Sequence, residues 1–408
     1  MGKLISIINL NEWIQQIRKI AVYFPWRKMR LVALALVTFM VVSLIFAQDL
    51  GSRTAAPQSP PSPRLAWPHT SAEPRGNVTL HPCRFSLRQS RSPAHGDALD
   101  GAPAAGIPNV ILVSSMARSG SSFLGGLLSS LPGVFYFFEP LHHIERWHML
   151  SPSIVQDSLR GLLTCNITGP IRKAVRSRGK YTVYHPYTRR CVSKESCFNS
   201  LLDETCRKEK FRAVKTIRVR VSWLRALLDD PEVNLKVIHL VRDPRGSIIS
   251  NWKADWAPVS ENTSCQNLLT DLQDGVRLRK ECPGKYLTVR YEDLCLDPQL
   301  MAEVILSFLG YSKLPQSTVR YLNRQTKTTR NNKTYSLTRD TRTQQQKWRA
   351  TITDEEFYRI EKICEASIVQ LGFNLFGNMA GVRNLSLPLY NSSSDDQAYN
   401  SRDCLSEL

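Results

Sequence analysis

The chain has 408 residues, of which 42% are hydrophobic, and a formal net charge of +19 at pH 7. Its composition changes sharply before Gly106, so the folded part is about 300 residues long, which favours one large domain over two.

A single apolar segment near the N-terminus predicts a membrane anchor. Residues 31–47 carry no charge, and these 17 residues are the short end of what crosses a bilayer as a helix. A cleaved signal peptide is the alternative, but 30 residues precede the apolar segment, many more than the charged start of such a peptide. Because Lys and Arg cluster before the segment, residues 1–30 are predicted to be a cytoplasmic tail and the C-terminus to be luminal.

Residues 48–108 predict a disordered luminal stem. They contain ten prolines and few large apolar side chains, so they cannot bury enough surface to offset the entropy of ordering. Beyond the anchor lie all ten cysteines and six glycosylation sequons, at Asn77, Asn166, Asn262, Asn332, Asn384 and Asn391. Both features are typical of the secretory pathway. The sequence therefore predicts a single-pass type II membrane glycoprotein.

Disulfides are favoured over metal sites because no pair of C-x-x-C motifs with zinc spacing is present. Local loops from Cys191 to Cys197 or Cys206, and from Cys265 to Cys282, are candidates, although spacing alone leaves the connectivity open.

The positive charge indicates an anionic partner. Nucleic acid is the usual partner of such a surface, but the secretory lumen holds none, whereas acidic glycans and anionic nucleotides are present there. The alternative is a basic surface that serves solubility only.

Buried strands alternate with helices from residue 109 onward. Apolar, β-branched segments predict parallel strands at residues 109–115, 134–138, 213–217, 235–241 and 286–291. Helices are predicted after the first strand as far as Leu131, after Asp297, and after Thr353. The predicted fold class is α/β, a P-loop-like parallel sheet flanked by helices over residues 109–376, followed by a C-terminal tail at 377–408.

The first anion loop, residues 113–123, lies where a strand meets a helix, so its backbone N–H groups can converge on a phosphate. Compared with G-x-x-x-x-G-K-[ST], Ser115 replaces the first Gly and Ser121 replaces the Lys, while Gly120 and Ser122 fit. Arg118 can supply the missing cation. A structural turn without a ligand is the alternative.

The second anion loop, residues 242–250, follows another buried strand. Arg242 stands at the end of that strand and Ser250 about two turns into the next helix. Because ligands of open α/β sheets bind at the carboxyl ends of strands, both loops are expected to line one crevice. Two anion sites in one crevice indicate a donor with two separated anionic groups.

These motifs resemble those of the Golgi carbohydrate sulfotransferases that modify the 6-hydroxyl of galactose, N-acetylgalactosamine or N-acetylglucosamine. The likeness runs from about Asn109 to Phe376 and includes ARSGSSF, FFEPLHH, RDPRGSIIS, VRYEDLCLDP and QQKWR. It implies a sulfotransferase fold, 3′-phosphoadenosine 5′-phosphosulfate (PAPS) as donor, and a keratan-like, chondroitin-like or N-acetylglucosamine-containing glycan as acceptor. Met116 and Ala117 depart from the pattern of relatives, which leaves the acceptor subtype open. Whether the chain forms a homodimer also stays open.

The resemblance places the 5′-phosphosulfate at Ala117, Arg118, Ser119, Gly120, Ser121, Ser122 and Phe123. It places the 3′-phosphate at Arg242, Asp243, Pro244, Arg245, Gly246, Ser247, Ile248, Ile249 and Ser250.

Glu139, Arg118 and Lys215 are the predicted catalytic residues. Glu139 follows the apolar strand at 134–138, and apolar neighbours are expected to raise its basicity, so that it accepts the proton of the sugar hydroxyl. An ion pair with an Arg, or acceptor binding, is the alternative for Glu139, and His142 and His143 are rival bases. Lys215 is predicted either to face the donor sulfate or to snorkel to the surface.

Trp348 and Arg349 are candidates for closing over the nucleotide or the acceptor. No metal is expected, because a sulfuryl group carries less charge than a γ-phosphate. Two other functions compete with this hypothesis. A P-loop kinase is disfavoured because the loop Lys is absent, and a non-catalytic glycan-binding Golgi protein would not need both anion loops.

Overall fold

The computed structural model describes residues 106–184, 195–254, 260–326 and 340–390. They belong to one compact unit, 79–408. The predicted tail, anchor and almost all of the stem lie outside these ranges. Within the ranges, no helix is both long enough and apolar enough to cross a membrane.

A six-stranded sheet forms the centre of the molecule, in the order β3-β2-β4-β1-β5-β6. The strands are β1 (Asn109–Val113), β2 (Val134–Phe138), β3 (Val183–Tyr184), β4 (Phe211–Thr216), β5 (Leu235–Val241) and β6 (Tyr286–Arg290). All neighbours are parallel except β3, which pairs antiparallel with β2. The predicted parallel sheet is confirmed, and the edge strand β3 was not predicted.

Helices connect the strands and cover the sheet. They are α1 (Ser121–Ser129), α2 (His142–Arg146), α3 (Pro152–Leu163), α4 (Gly169–Thr182), α5 (Glu195–Lys208), α6 (Arg225–Asp229), α7 (Pro244–Trp252), α8 (Glu261–Glu281), α9 (Tyr291–Leu296), α10 (Pro298–Phe308), α11 (Gln316–Thr326), α12 (Thr341–Gln344), α13 (Asp354–Gln370) and α14 (Met379–Arg383). Short 3₁₀ turns occur at Val221–Leu224 and Lys347–Ala350.

Both faces of the sheet are buried. Along β1, alternate side chains enter two different hydrophobic clusters, with Ile111 and Val113 on one face and Val110 and Leu112 on the other. A parallel sheet needs helices on both faces, so its strands are continuous apolar segments. This explains why the strands could be located from the sequence.

Side-chain caps set the starts of the two clearest predicted helices. Asp297 accepts a hydrogen bond from the Leu300 amide (3.0 Å) and starts α10. Thr353 and Glu356 form a reciprocal capping box at the start of α13. Both predicted helix starts are confirmed.

The disulfides differ from the local pairs suggested by spacing. Cys206 pairs with Cys165 rather than Cys191, and Cys265 pairs with Cys364 rather than Cys282. The Cα atoms of the two observed pairs are 5.7 and 5.2 Å apart. Each bridge joins helices or loops that the fold packs together from distant parts of the chain, a proximity that sequence spacing does not reveal. Cys191 lies outside the described residues, so the pair Cys191–Cys197 stays a prediction.

Residues 377–390 of the predicted C-terminal tail pack onto the domain. The Arg349 guanidinium is fully buried and donates to the backbone carbonyl oxygens of Gly381, Val382, Asn384 and Leu387. Arg349 therefore anchors this segment, and its side chain is not available to close over a ligand as the sequence suggested.

Candidate active site

The first anion loop connects β1 to α1 at the carboxyl end of the sheet. Arg118 and Gly120 have positive φ angles of 62° and 87°, so the backbone turns sharply before the helix begins. Gly120 is needed for a second reason, because a Cβ on it would lie 2.5 Å from the ring of Tyr291. The loop is thus shaped by the close approach of Tyr291.

The two anion loops contact each other directly. Arg242 donates from Nη1 to the carbonyl oxygen of Arg118, and Arg118 Nε donates to Ser250 Oγ (3.4 Å). The Arg242 guanidinium also lies 4.4 Å from the centre of the Tyr291 ring. The structure therefore brings Arg118, Arg242 and Ser250 together as the sequence predicted for a single crevice.

Polar atoms of the second anion loop fit an anionic ligand. Within the described part of the chain, the buried Nε of Arg242 and Oγ of Ser247 have no hydrogen-bond partner. Buried donors without a partner are costly, so such atoms in a crevice commonly meet a ligand or water.

Other side chains of the second anion loop maintain its structure. Arg245 is fully buried, donates to Asp243 and Glu361, and lies 4.9 Å from the ring centres of both Trp348 and Phe376. Ile248 and Ile249 belong to a hydrophobic cluster. The resemblance placed Arg245, Ile248 and Ile249 around the 3′-phosphate. Their side chains contact protein in the structure, so only their backbone is left for a ligand.

The start of α9 contributes two residues to which the sequence analysis gave no role. Tyr291 contacts Gly120 and Arg242, and Glu292 Oε1 accepts a hydrogen bond from the Asp243 amide (3.2 Å). Burial, with a smaller contribution from Asp243, raises the pKa of Glu292 to about 8. Both residues belong to the segment VRYEDLCLDP. Tyr291 ends the predicted strand 286–291 and Glu292 follows it, and this position at a strand end was the available signal.

Glu139 stands at the end of β2 in a left-handed conformation (φ 49°) and is buried. Lys215 and Arg218 both donate to its carboxylate. Burial favours the neutral acid, but the two cations outweigh it, so the pKa of Glu139 lies below its ordinary value. The expectation that apolar neighbours raise its basicity is therefore wrong, and the ion-pair alternative describes its contacts.

Lys215 is buried, and its ammonium group lies 4.8 Å from the centre of the Phe138 ring. Burial lowers its pKa, although the Glu139 carboxylate opposes this shift. The snorkelling alternative is wrong. Lys215 faces Glu139 because Phe138 and Lys215 are register partners in adjacent parallel strands.

The rival bases lie on α2. His142 and His143 are half-buried, with ring centres 5.4 Å apart. Arg218 links this helix to Glu139, because its Nε donates to Glu145 (2.7 Å) while its Nη1 donates to Glu139. Glu139 and α2 therefore border the same part of the crevice.

A buried chain of hydrogen bonds holds the start of the first anion loop. Ser115 Oγ lies 2.8 Å from His239 Nε2, and His239 Nδ1 lies 2.6 Å from the Tyr286 hydroxyl. Burial, helped by Arg220 and Arg279, lowers the pKa of His239 to about 3, so this ring is neutral.

A neutral imidazole donates at one ring nitrogen and accepts at the other, so the His239 ring can bridge Ser115 and Tyr286. His239 can reach the loop because it is the register partner of Val113, the last residue of β1.

We expect His239→Phe to weaken binding of 3′,5′-adenosine bisphosphate by roughly tenfold, because Ser115 and Tyr286 lose buried partners. His239→Gln can still donate and accept, and should recover part of the affinity. Tyr286→Phe removes only the distant hydrogen bond and is the matched control. Calorimetric titration measures the affinity, and a stable His239→Phe protein with unchanged affinity would show that the chain does not position the loop.

Comparisons with known proteins find similarity to sulfotransferases. The sulfotransferase domain family matches residues 108–372. Carbohydrate sulfotransferase 1 of Danio rerio is 28% identical over 341 residues, covering 68% of this chain and 81% of the relative. Carbohydrate sulfotransferase 3 of Mus musculus is 28% identical over 342 residues, covering 70% and 72%. The crystal structure of mouse sulfotransferase SULT7A1 complexed with PAP is 14% identical, with a TM-score of 0.35, covering 63% of this chain and 82% of that chain.

Proposed function

Because the chain belongs to the sulfotransferase domain family and is a sulfotransferase, we propose that it transfers a sulfuryl group from PAPS to the 6-hydroxyl of galactose, N-acetylgalactosamine or N-acetylglucosamine in a glycan. The observation that carries this proposal is the direct contact between the two anion loops beside the Glu139–Lys215 pair. The named relatives support a carbohydrate acceptor.

In this proposal the two loops bind opposite ends of the donor. Backbone N–H groups of the first anion loop and the start of α1 hold the 5′-phosphosulfate, with Arg118 beside them. Arg242, Ser247 and Ser250 bind the 3′-phosphate, which gives the unpartnered atoms of Arg242 and Ser247 their acceptors.

The chemistry is a displacement at sulfur. The sugar hydroxyl oxygen forms a bond to sulfur, the bond from sulfur to the 5′-phosphate oxygen breaks, and the hydroxyl proton passes to Glu139. Arg118 stabilises the charge that develops on the departing phosphate. A sulfuryl group that attracts Lys215 would weaken the Lys215–Glu139 ion pair and raise the pKa of Glu139. Donor binding would thereby prepare the base.

The competing functions fit these contacts less well. A P-loop kinase would need a loop Lys, and Ser121 stands at that position. A non-catalytic glycan-binding protein has no need for a buried Glu–Lys pair at the crevice, since such pairs cost desolvation energy. Sulfuryl transfer, as proposed here, does not need a Lys at position 121 and gives the Glu139–Lys215 pair a role.

The same proposal places the enzyme in the Golgi membrane, anchored by residues 31–47 with the domain in the lumen. The disulfides Cys165–Cys206 and Cys265–Cys364 support an oxidising compartment. Among the sequons that the structure describes, Asn166, Asn262 and Asn384 are exposed, as glycosylation requires. Asn77, Asn332 and Asn391 lie outside the described residues.

We expect the purified luminal domain to transfer label from [³⁵S]PAPS to carbon 6 of at least one acceptor in a panel of keratan, chondroitin and N-acetylglucosamine-terminated chains. Mapping the sulfated carbon tests the position of transfer. Arg118→Ala is the negative control, because it removes a cation at the departing phosphate. Sulfate at another carbon would contradict the 6-hydroxyl, and label on none of the acceptors would contradict the proposed acceptor class.

A further inference from the structure

Trp348 brings a third unpartnered donor to the second anion loop. Its side chain is 3% exposed, and its indole Nε1 has no hydrogen-bond partner in the described ranges, as is also the case for Arg242 Nε and Ser247 Oγ. A buried N–H without an acceptor is costly, and native structures keep few of them. Three such atoms around one loop therefore indicate a ligand that accepts hydrogen bonds.

Gly246 shows where these donors meet. A Cβ atom on Gly246 would lie 2.9 Å from Trp348 Cδ1, and 3.1 and 3.2 Å from Nη2 and Nε of Arg242. Because Nε1 is bonded directly to Cδ1, the indole edge that carries the N–H and the guanidinium approach the first turn of α7 at the same point. Ser247 follows Gly246 in that helix. The three donors thus surround the amino end of α7, where the helix dipole also favours an anion.

The indole of Trp348 is held in place by its neighbours. The Arg245 guanidinium lies 4.9 Å from the centre of the ring. The backbone is fixed as well, because the Trp348 carbonyl oxygen accepts hydrogen bonds from the amides of Thr351 and Ile352 (3.0 Å each). The N–H edge therefore faces Gly246 before any ligand arrives, so little ordering is required for it to bind.

The donors match the chemistry of a phosphate monoester. Indole and guanidinium nitrogens donate hydrogen bonds but do not accept them, so they favour a group that offers acceptor oxygens. A phosphate monoester carries about −1.5 to −2 charges at pH 7 and presents three such oxygens. Hydrogen bonds to a charged group are stronger than those to a neutral one. A phosphate therefore satisfies the three donors better than water does.

The acids beside the donors oppose an anion only weakly. Asp243, the one acid of the second anion loop, is fully buried and accepts a hydrogen bond from Arg245 (2.9 Å). Glu292 accepts from the Asp243 amide, and burial raises the pKa of Glu292 to about 8, so most of it is neutral at pH 7. Neither acid therefore neutralises the charge that Arg242 offers to a ligand.

We propose that Trp348 binds the 3′-phosphate of the donor through its indole N–H, together with Arg242 and Ser247. The inference rests on the proposed function and adds a residue from outside both anion loops to the donor site. It also gives Gly246 a role, because any side chain there would fill the space in which Trp348 and Arg242 meet.

Trp348→Phe removes the N–H but keeps an aromatic ring beside Arg245. With the detergent-solubilised full-length chain, calorimetric titration should show that the affinity for 3′,5′-adenosine bisphosphate falls roughly tenfold, because a hydrogen bond to a charged group is lost. The affinity for adenosine 5′-monophosphate, which lacks the 3′-phosphate, should stay the same. Trp252→Phe is the matched control, since Trp252 lies at the end of α7 against Arg359, and it should change neither affinity.

The indole N–H resonance reports the contact directly. The chain has eight tryptophans, and Trp348→Phe identifies one of their indole signals in a ¹⁵N–¹H spectrum by removing it. That signal should move downfield when 3′,5′-adenosine bisphosphate is added and stay in place with adenosine 5′-monophosphate. Gly246→Ala keeps the indole but sets a Cβ against it, so it should weaken the binding of the bisphosphate alone. This second variant keeps the test decisive if Trp348→Phe does not fold.

The outcomes separate Trp348 from the proposed function. Unchanged bisphosphate affinity in a folded Trp348→Phe protein, an equal loss for both nucleotides, or an indole signal that responds equally to both would overturn the role of Trp348 and leave sulfuryl transfer from PAPS standing. A wild-type protein that binds 3′,5′-adenosine bisphosphate no more tightly than adenosine 5′-monophosphate would contradict the proposed donor as well.

Discussion

Glu139→Gln should lower kcat by at least about 100-fold while the affinity for 3′,5′-adenosine bisphosphate stays nearly unchanged. Glutamine keeps the volume of the side chain but cannot accept the proton of the sugar hydroxyl. The anion loops contact each other through Arg242 and Arg118 rather than through Glu139, so donor binding should persist. Steady-state kinetics and calorimetric titration measure the two quantities on the same preparation.

The variant also removes the partner of two nearly buried cations. Lys215 and Arg218 would lose the carboxylate to which both donate, and breaking a buried pair typically costs about 3–5 kcal/mol. Thermal unfolding must therefore accompany the kinetics. Glu139→Asp keeps the charge but shortens the reach, so it should be more stable than Glu139→Gln and still be slow. If Glu139→Gln is folded and only the acceptor KM rises, Glu139 binds sugar and is not the base.

The pH dependence distinguishes Glu139 from the rival bases. Because Lys215 and Arg218 hold the pKa of Glu139 below its ordinary value, this carboxylate stays ionised at neutral pH. The stability contributed by the pairing is present above the unfolded pKa and is lost as the pH falls through the lower folded value. The kcat/KM for the donor reports the free enzyme, before donor binding raises the pKa of Glu139, so a wild-type kcat/KM that declines near pH 6.5 would instead point to His142 or His143.

Arg242→Ala should weaken the binding of 3′,5′-adenosine bisphosphate by roughly 10- to 100-fold, because hydrogen bonds to charged groups contribute about 1.5–3 kcal/mol. Its guanidinium contacts Tyr291 and the Arg118 carbonyl and has a buried Nε without a partner in the described residues. The fold should survive, since Arg242 has no ion pair among the described residues.

Arg245 is the matched control for Arg242, three positions along the same loop. Arg245→Ala breaks a fully buried pair with Asp243 and Glu361 and should destabilise the domain by about 3–5 kcal/mol. Arg242→Ala is thus expected to weaken the binding of 3′,5′-adenosine bisphosphate, whereas Arg245→Ala is expected to lower the stability of the domain. Unchanged affinity in a folded Arg242→Ala protein would remove the 3′-phosphate assignment, and a stable Arg245→Ala protein with weak donor binding would reverse the two roles.

Local sequence determined the α/β fold class, the central strands and both anion loops. A continuous apolar segment such as 109–113 indicates a strand that is buried on both faces, and the small residues that follow it indicate a turn. Both features depend on residues that are close together in the sequence. The caps at Asp297 and Thr353 are local for the same reason, because each side chain bonds to an amide within three residues.

Only the tertiary structure decided the partners of charged and sulfur-containing side chains. Lys215 meets Glu139 across 76 positions through the β2–β4 register, and His239 meets Ser115 across 124 positions through the β1–β5 register. These contacts reverse the direction of the pKa shift that the sequence suggested for Glu139. Burial alone would raise this pKa, but the nearby cations Lys215 and Arg218 outweigh burial and lower it. The disulfide Cys265–Cys364 likewise depends on the packing of α8 against α13. The sequence shows which groups are charged, while their electrostatic environment depends on contacts that form only when distant segments fold together.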